Sequence, residues 1–414
     1  MTSILIKNIS QLVTLSKGAI PRKGSQMKEV GYIENACVLI EDGKIAYTGG
    51  SKSCPRKADL TIDAGWCCVT PGLVDPHTHP VFAATREEEF VKRIMGKSYM
   101  EIASEGGGIM SSVRSLRGVD KDVLKIETKK RLNDFLKYGT TTIEAKSGYG
   151  LTLEDEIKSL EIISELNDEQ PLEMIPTFLG AHSIPAEYKD NRQEFLRIVI
   201  EEMLPQVADR KLAKYCDIFC EKGVFTVEES RSVLQKAKEL GLKIRIHSDE
   251  FEPIGGTELA GELKASSADH LTAVTESGMK SMLKGGVVPI VLPATTFFLG
   301  HKEYSPSRKM IDMGLPLAMA TDFNPGSSMT NSLPMAMTIA CINMKLLPEE
   351  ALTACTVNSA YSLDLSDRIG SLKEGMDADL VIWDTTNFRQ VVYHFGVNHA
   401  RVVLKKGGVV WERE

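Results

Sequence analysis

Val69-Thr70-Pro71-Gly72-Leu73-Val74-Asp75-Pro76-His77-Thr78-His79-Pro80 is a short apolar run that ends in two histidines one residue apart. On a β-strand, residues i and i+2 point to the same face. His77 and His79 therefore aim both imidazoles at one point just beyond the strand's end, a point that could hold a metal. Pro71 and Gly72 suit the start of a strand, and Pro76 and Pro80 are tolerated only where ladder hydrogen bonding has stopped. The pair belongs at the mouth of a sheet. Two solvated loop histidines would give the same local pattern, so the rest of the chain must decide.

From this stretch onward, strand-like runs alternate with longer segments of helical period, the signature of βα units around a parallel sheet. The strand candidates are 69–75, 140–146, 173–180, 215–220, 242–247, 265–271, 287–292 and 316–321. Amphipathic helices are predicted over 121–138, 153–166, 226–240, 257–263, 273–284 and 307–313, with Thr152 and Thr226 as N-caps. Eight such units in roughly 290 residues fit an α/β fold of the (β/α)8 TIM-barrel type, with an open doubly wound sheet as the alternative. Residues 3–68 read instead as antiparallel strands broken by Glu41-Asp42-Gly43 and Gly49-Gly50. After a helical 348–361, strands return at 380–383, 390–393 and 402–405. The tail is too small to fold well alone. It is expected to join the N-terminal strands in a small β-sandwich domain, giving 1–68 and 365–414 to that domain and 69–364 to the barrel. Gly106-Gly107-Gly108 lacks the Gly-Lys-Ser/Thr of a phosphate cradle and reads as a flexible loop over the barrel mouth.

Composition sets outer limits. The 414 residues carry 49 Lys and Arg against 56 Asp and Glu, a net charge of −7 with no long block of one sign, so neither nucleic acid nor an anionic membrane is an expected partner. Met1 to Ile20 does not read as a signal peptide, and no run of 18 apolar residues exists to span a bilayer. None of the eight cysteines stands in a Cys-x-x-Cys spacing, and they are expected to be reduced in a cytoplasmic protein.

Active sites of (β/α)8 barrels lie at the C-terminal ends of the strands. The candidate strands end in His77 and His79, His182, His247, His270 and Asp322, so five of the eight histidines converge on one rim. Imidazole and carboxylate donors without cysteine suit Zn²⁺ or Fe²⁺ with a position open to water, and His77, His79, His247 and Asp322 are the expected ligands. A bound cation can lower the pKa of its water to about 7. Glu250, just past the fifth strand, could act as general base, and His270 could orient the water or polarise the scissile group. Whether Glu250 or Asp322 holds the proton is open. Glu221 and Lys222, after the fourth strand, could serve a second metal, although most of a second ligand set is missing. Arg86 could clamp a carboxylate or be merely solvated. Tyr149, in Ser147-Gly148-Tyr149-Gly150, displays a phenol at the rim, and the 322–328 loop offers amide, backbone and hydroxyl groups.

The Val-Asp-Pro-His-Thr-His segment, the eight-strand pattern and Ala320-Thr321-Asp322-Phe323-Asn324 together resemble the amidohydrolase superfamily. His79-Pro80-Val81-Phe82, Glu105 to Ile109, Lys146 to Thr152, Pro176 to His182, Asp322 to Ser328 and His394-Phe395-Gly396-Val397-Asn398 closely resemble its imidazolonepropionase family. The resemblance runs over nearly the whole chain. It implies hydrolysis of 4-imidazolone-5-propanoate to N-formimidoyl-L-glutamate, the third step of histidine degradation. It also implies one zinc or iron ion, divalent or trivalent, on His77, His79, His247 and Asp322. Arg86, Tyr149, His182 and Glu250 become substrate contacts, and Asn324, Gly326 and Ser327 contacts to substrate or product. A homodimer is a further expectation. A deaminase of the same superfamily would use the same metal, Glu250 and His270 but release ammonia, and would not need Arg86 with Tyr149. A non-enzymatic scaffold would have lost ligands that are all present here.

Overall fold

Gly72 divides what the sequence presents as one strand. In the computed structural model, which describes residues 3–55, 57–97, 101–102 and 105–414, Cys68–Pro71 pairs in one sheet and Leu73–Asp75 in another. A Cβ at Gly72 would lie 2.4 Å from Thr141 Oγ1, so only bare backbone can make the crossing. The expected strand 69–75 is corrected to two.

Strands β1 (Ser3–Val13), β2 (Tyr32–Glu41), β3 (Lys44–Gly50), β4 (Leu60–Asp63) and β5 (Cys68–Pro71) form the N-terminal part of a mixed sheet. The barrel follows with β6 (Leu73–Asp75), β7 (Thr140–Lys146), β8 (Glu173–Ala181), β9 (Tyr215–Cys220), β10 (Lys243–Ser248), β11 (Ser267–His270), β12 (Val288–Val291) and β13 (Ala318–Met319). These eight lie side by side in sequence order, all parallel. Then β14 (Leu380–Trp383), β15 (Ala400–Lys405) and β16 (Gly408–Glu412) return to the mixed sheet, whose order is β16-β15-β14-β5-β1-β2-β3 with β4 on β1. That sheet has its own apolar core, with Ile6, Val38, Ile40, Val69, Leu380, Ile382 and Leu404 in one buried cluster.

Between β13 and β6 the barrel closes through residues just past the strands. The His79 N–H donates to Phe323 O (2.8 Å) and the Asp322 N–H to His77 O (3.1 Å). The Asp75 carboxylate accepts the N–H (3.1 Å) and hydroxyl (2.5 Å) of Thr321. Burial pushes the Asp75 carboxyl up to about 7, only partly offset by the Thr321 hydrogen bonds and by His77. The seam sets Asp322 beside the two histidines of the opening stretch.

Helices cover the barrel largely where the apolar period places them. Thr152 caps Leu153–Glu169 by accepting the Asp155 N–H (3.1 Å), and Thr226 forms a capping box with Glu229 at the head of Val227–Glu239. The expected strand 390–393 is a helix, Arg389–Tyr393, with Val391 and Val392 both buried. Neighbouring side chains on a strand point to opposite faces, and here both valines find the same side. The expected helix 348–361 is two, Pro348–Ala354 and Val357–Ser362, interrupted where Thr356 leaves helical backbone at φ −133°. The glycine loop ends as the N-terminus of a helix, Ile109–Arg117. One cysteine expectation fails: Cys37 and Cys54 form a disulfide with Cα atoms 6.2 Å apart, a span such bonds need and a sequence separation of 17 does not reveal. The other six cysteines are free. Among the described residues no helix is long and apolar enough to cross a membrane.

Candidate metal centre

The donors meet at the barrel mouth from both sides of the seam and from its middle. His77 and His79 follow β6, and their Nε2 atoms stand 3.3 Å apart. Asp322 follows β13, with Oδ1 3.5 Å from His77 Nε2 and 3.4 Å from His79 Nε2. His247 lies within β10 and His270 at the end of β11. Ligand atoms of His77, His79 and His247 lie within 4.8 Å of one another, and so do those of His77, His270 and Asp322. Both ring nitrogens of His247 are buried without a well-formed hydrogen bond among the described residues; Nδ1 lies 2.9 Å from Asp217 Oδ2, whereas Nε2 has no protein partner, a costly state for a polar atom unless it ligates. Nitrogen and carboxylate donors in this number suit one zinc- or iron-like ion, so the residues fit such a group. Asp322 and His270 both have left-handed backbone, φ +54° and +79°, strain of a kind that concentrates at functional sites.

Carboxylates behind the imidazoles orient them. Asp269 Oδ2 is 2.6 Å from His77 Nδ1, and Asp217 Oδ2 is 2.9 Å from His247 Nδ1. A proton on each Nδ1 leaves Nε2 with its lone pair free for a cation. Electrostatics follow the same plan. Burial pulls His77 down and the Lys146 charge adds to that, but bonds to Asp269 and Asp322 outweigh both and hold it up at about 9. Burial drives His79 down to about 3 and pushes His182 and His270 well below the ordinary imidazole value. Burial raises the Asp322 carboxyl, yet hydrogen bonds from His77 and His79 leave it well below the usual range. The meeting point thus collects the neutral imidazoles of His79, His182 and His270 and an ionised Asp322 carboxylate, while His77, held up by its two carboxylate partners, would give up its Nε2 proton to a bound cation.

Glu250 stands at the edge of this group, with Oε2 3.5 Å from His270 Nδ1. Burial first, then the charges of Asp322 and Glu221, raises its carboxyl well above the ordinary value. Its loop is held by Glu221, whose carboxylate accepts the N–H groups of Glu250 (3.1 Å), Phe251 (3.0 Å) and Glu252 (3.2 Å). Lys222 turns outward to Glu252, 2.8 Å away. Both residues are thus engaged within the loops after β9 and β10. Glu221 is a loop anchor that position alone did not reveal.

The other expected contacts gather around the same mouth. The His182 ring stacks on His79 at 5.2 Å, and Tyr149 lies 5.4 Å from His182 and 6.0 Å from His79 between ring centroids. The Tyr149 loop hangs on the buried Glu156, which accepts the N–H groups of Gly148, Gly150 and Leu151. Arg86 gives Nε (3.0 Å) and one Nη2 (2.6 Å) to Glu89, leaving its Nη1 edge against Gly326, where a Cβ would lie 2.2 Å away. Asn324 is occupied by its own loop: Oδ1 accepts the N–H groups of Gly326 and Ser327, both at 2.8 Å, while Nδ2 donates to Asp322 O (2.7 Å) and Ser327 Oγ (2.9 Å). In this structure Asn324 shapes the loop behind the site. Sequence reasoning also passed over Glu144, Lys146, Asp217, Arg245 and Asp269, all fully buried. Their signal was charge inside otherwise apolar strands, at i and i+2 for Glu144 and Lys146 and again for Arg245 and His247.

An amidohydrolase family profile matches residues 68–410. A solved adenosine deaminase from Xanthomonas campestris with bound zinc shares the fold, with a TM-score of 0.73 at 17% identity over 98% of this chain and 92% of that one. The chain belongs to the amidohydrolase family. An imidazolonepropionase from Alkaliphilus metalliredigens (strain QYMF) is 46% identical over 417 residues, covering 100% of this chain and 99% of that protein. One from Geobacillus sp. (strain WCH70) is also 46% identical, with coverage of 99% and 98%. Within the amidohydrolases, the chain's family is that of the imidazolonepropionases.

Proposed function

We propose that this chain hydrolyses 4-imidazolone-5-propanoate to N-formimidoyl-L-glutamate in histidine degradation. The observation that carries the reading is the buried, mutually oriented set His77, His79, His247 and Asp322 in a chain related to imidazolonepropionases along its whole length. These four residues would hold one zinc or iron ion. Such an ion supplies Lewis acidity and makes water acidic enough to lose a proton near neutral pH.

In the reaction, water adds to the ring carbonyl carbon, the bond from that carbon to the ring nitrogen breaks, and the nitrogen leaves with a proton. The carbon becomes the new carboxylate. Glu250 is the group that takes the proton from water at its carboxylate and returns it to the leaving nitrogen, a role its raised pKa allows. His270, kept neutral by burial and 3.5 Å from Glu250, orients water and donates to oxygen as charge develops there. The Arg86 Nη1 edge and the Tyr149 phenol take the propanoate. Stacked His182 and His79 form an aromatic wall for the planar ring.

The test is an ultraviolet assay with freshly prepared imidazolonepropionate, before and after chelation, with ammonia measured in parallel. Loss of substrate absorbance without ammonia, sensitive to chelator and abolished in His247→Ala and Glu250→Ala, is expected. Metal-replete protein that leaves this substrate untouched, or that releases ammonia from a purine or pyrimidine, overturns the reading.

A further inference from the structure

Beneath the candidate metal centre, one lysine joins two of its supporting carboxylates. The Lys146 ammonium, fully buried at the end of β7, is 2.7 Å from Glu144 Oε1, 2.7 Å from Asp217 Oδ2 and 3.8 Å from Asp269 Oδ2. The same Asp217 Oδ2 lies 2.9 Å from His247 Nδ1, and the same Asp269 Oδ2 lies 2.6 Å from His77 Nδ1. Each oxygen thus has the ammonium on one side and an imidazole on the other. Arg245, also fully buried, adds a second cation 3.6 Å from Glu144 and 4.0 Å from Asp269.

A purely structural core has little use for such a cluster. Desolvating charges is costly, and well-packed apolar residues of similar volume are often as stable or more so. What the charges supply is geometry: strands β7, β9, β10 and β11, with the residues after β6, are locked by one ammonium into a common register of carboxylate and imidazole. We propose that Lys146 is a positioning residue for the metal centre, fixing Asp217 and Asp269 so that His247 and His77 present Nε2 to the same point. The proposal rests on reading His77 and His247 as metal ligands. Without the ammonium, Asp269 keeps Arg245 at 4.0 Å but Asp217 loses the cation 2.7 Å from its Oδ2, and that carboxylate turns away from His247. Its imidazole then loses the acceptor that sets its tautomer, a loss that typically costs about 10–100-fold in metal affinity.

Zinc affinity of chelator-stripped protein is measured by competition with a chromogenic chelator, alongside the visible spectrum of the cobalt(II)-loaded form. Two variants are compared with wild type: Lys146→Gln, and Glu144→Gln/Lys146→Gln, which removes an anion with the cation and so guards against failure to fold. The expected result is zinc binding weaker by about 10–100-fold in folded protein, a shifted cobalt spectrum, and a KM of the zinc-saturated enzyme within about twofold of wild type. A lower melting temperature with wild-type zinc affinity and cobalt spectrum in the folded variants means a structural role only and overturns the proposal. His247→Ala separates the two layers. If it loses zinc while the Lys146 variants keep it, this proposal alone fails; if it keeps wild-type zinc affinity, the ligand assignment fails and takes the proposal with it.

Discussion

Lys146 and Lys405 are both buried among carboxylates, one at the end of β7 and the other, from β15, packed against the start of the same strand. Lys405, on β15, donates to Thr142 Oγ1 (3.1 Å), Glu173 Oε2 (2.9 Å) and Asp379 Oδ2 (2.7 Å). Thr142 and Lys146 share one face of β7, four residues or about 13 Å apart. The lower cluster, extended by Arg368 on Glu173 and Asp377, contains no imidazole and ties the mixed sheet to the starts of β7 and β8. The upper cluster reaches His77 and His247. Similar chemistry therefore has two uses: one lysine docks two sheets, while the other faces the side chains that would hold a cation.

Substitutions should pull these two uses apart. The largest stability effect is expected from Lys405→Met, which leaves Asp379 buried without its ammonium while the partly exposed Glu173 keeps Arg368: about 3–5 kcal/mol in denaturant unfolding, with zinc affinity of the folded fraction unchanged. A loss of zinc affinity there would erase the distinction between the clusters. Acid should act next, and on the lower cluster. Burial raises Glu173, but the Lys405 charge and Arg368 outweigh it and hold the carboxyl down at about 2, against an ordinary 4.5. A depressed carboxyl stabilises the fold above its unfolded pKa, and that contribution fades as pH falls from about 4.5 through about 2, amounting to up to about 3 kcal/mol. Glu173→Gln should flatten that acid limb in unfolding curves taken at several pH values; an unchanged limb would contradict the assignment.

Asp269→Asn addresses the upper cluster. Zinc affinity should fall by about 10–100-fold in chelator competition, and an unaltered affinity would remove the orienting role of that carboxylate. The smallest effect is expected at Lys125, which pairs with Glu165 and Glu169 at 2.6 Å on the helical surface. Lys125→Ala should change stability by less than about 1 kcal/mol and zinc binding not at all, showing that burial rather than the count of ion pairs gives the two clusters their weight.

The barrel was legible in the sequence because its strands carry their chemistry at their ends. Thr140–Lys146 and Tyr215–Cys220 form with the expected bounds, and the histidines and Asp322 that terminate strand runs do meet. What stayed hidden has physical causes. The division at Gly72 depends on Thr141, a neighbour across the chain that no local pattern names. Arg389–Tyr393 contains two adjacent valines, which local propensity reads as strand and tertiary packing makes helix. The last barrel strand shrinks to Ala318–Met319 because the seam closes through side chains and loop backbone instead of a ladder. Within the site, position along a strand found the imidazoles but not what stands behind them. Asp217 and Asp269 are inside strands, and only their contacts with His247 and His77 disclose a role.

The most direct test of the account is a metal titration of chelator-stripped protein, following imidazolonepropionate hydrolysis as zinc or iron(II) is added in sub-stoichiometric steps. The account predicts activity that starts near zero, rises linearly and saturates at one ion per chain, with no recovery in His247→Ala. Full activity in the stripped protein, or recovery only at two ions per chain, would contradict a single-ion centre on His77, His79, His247 and Asp322.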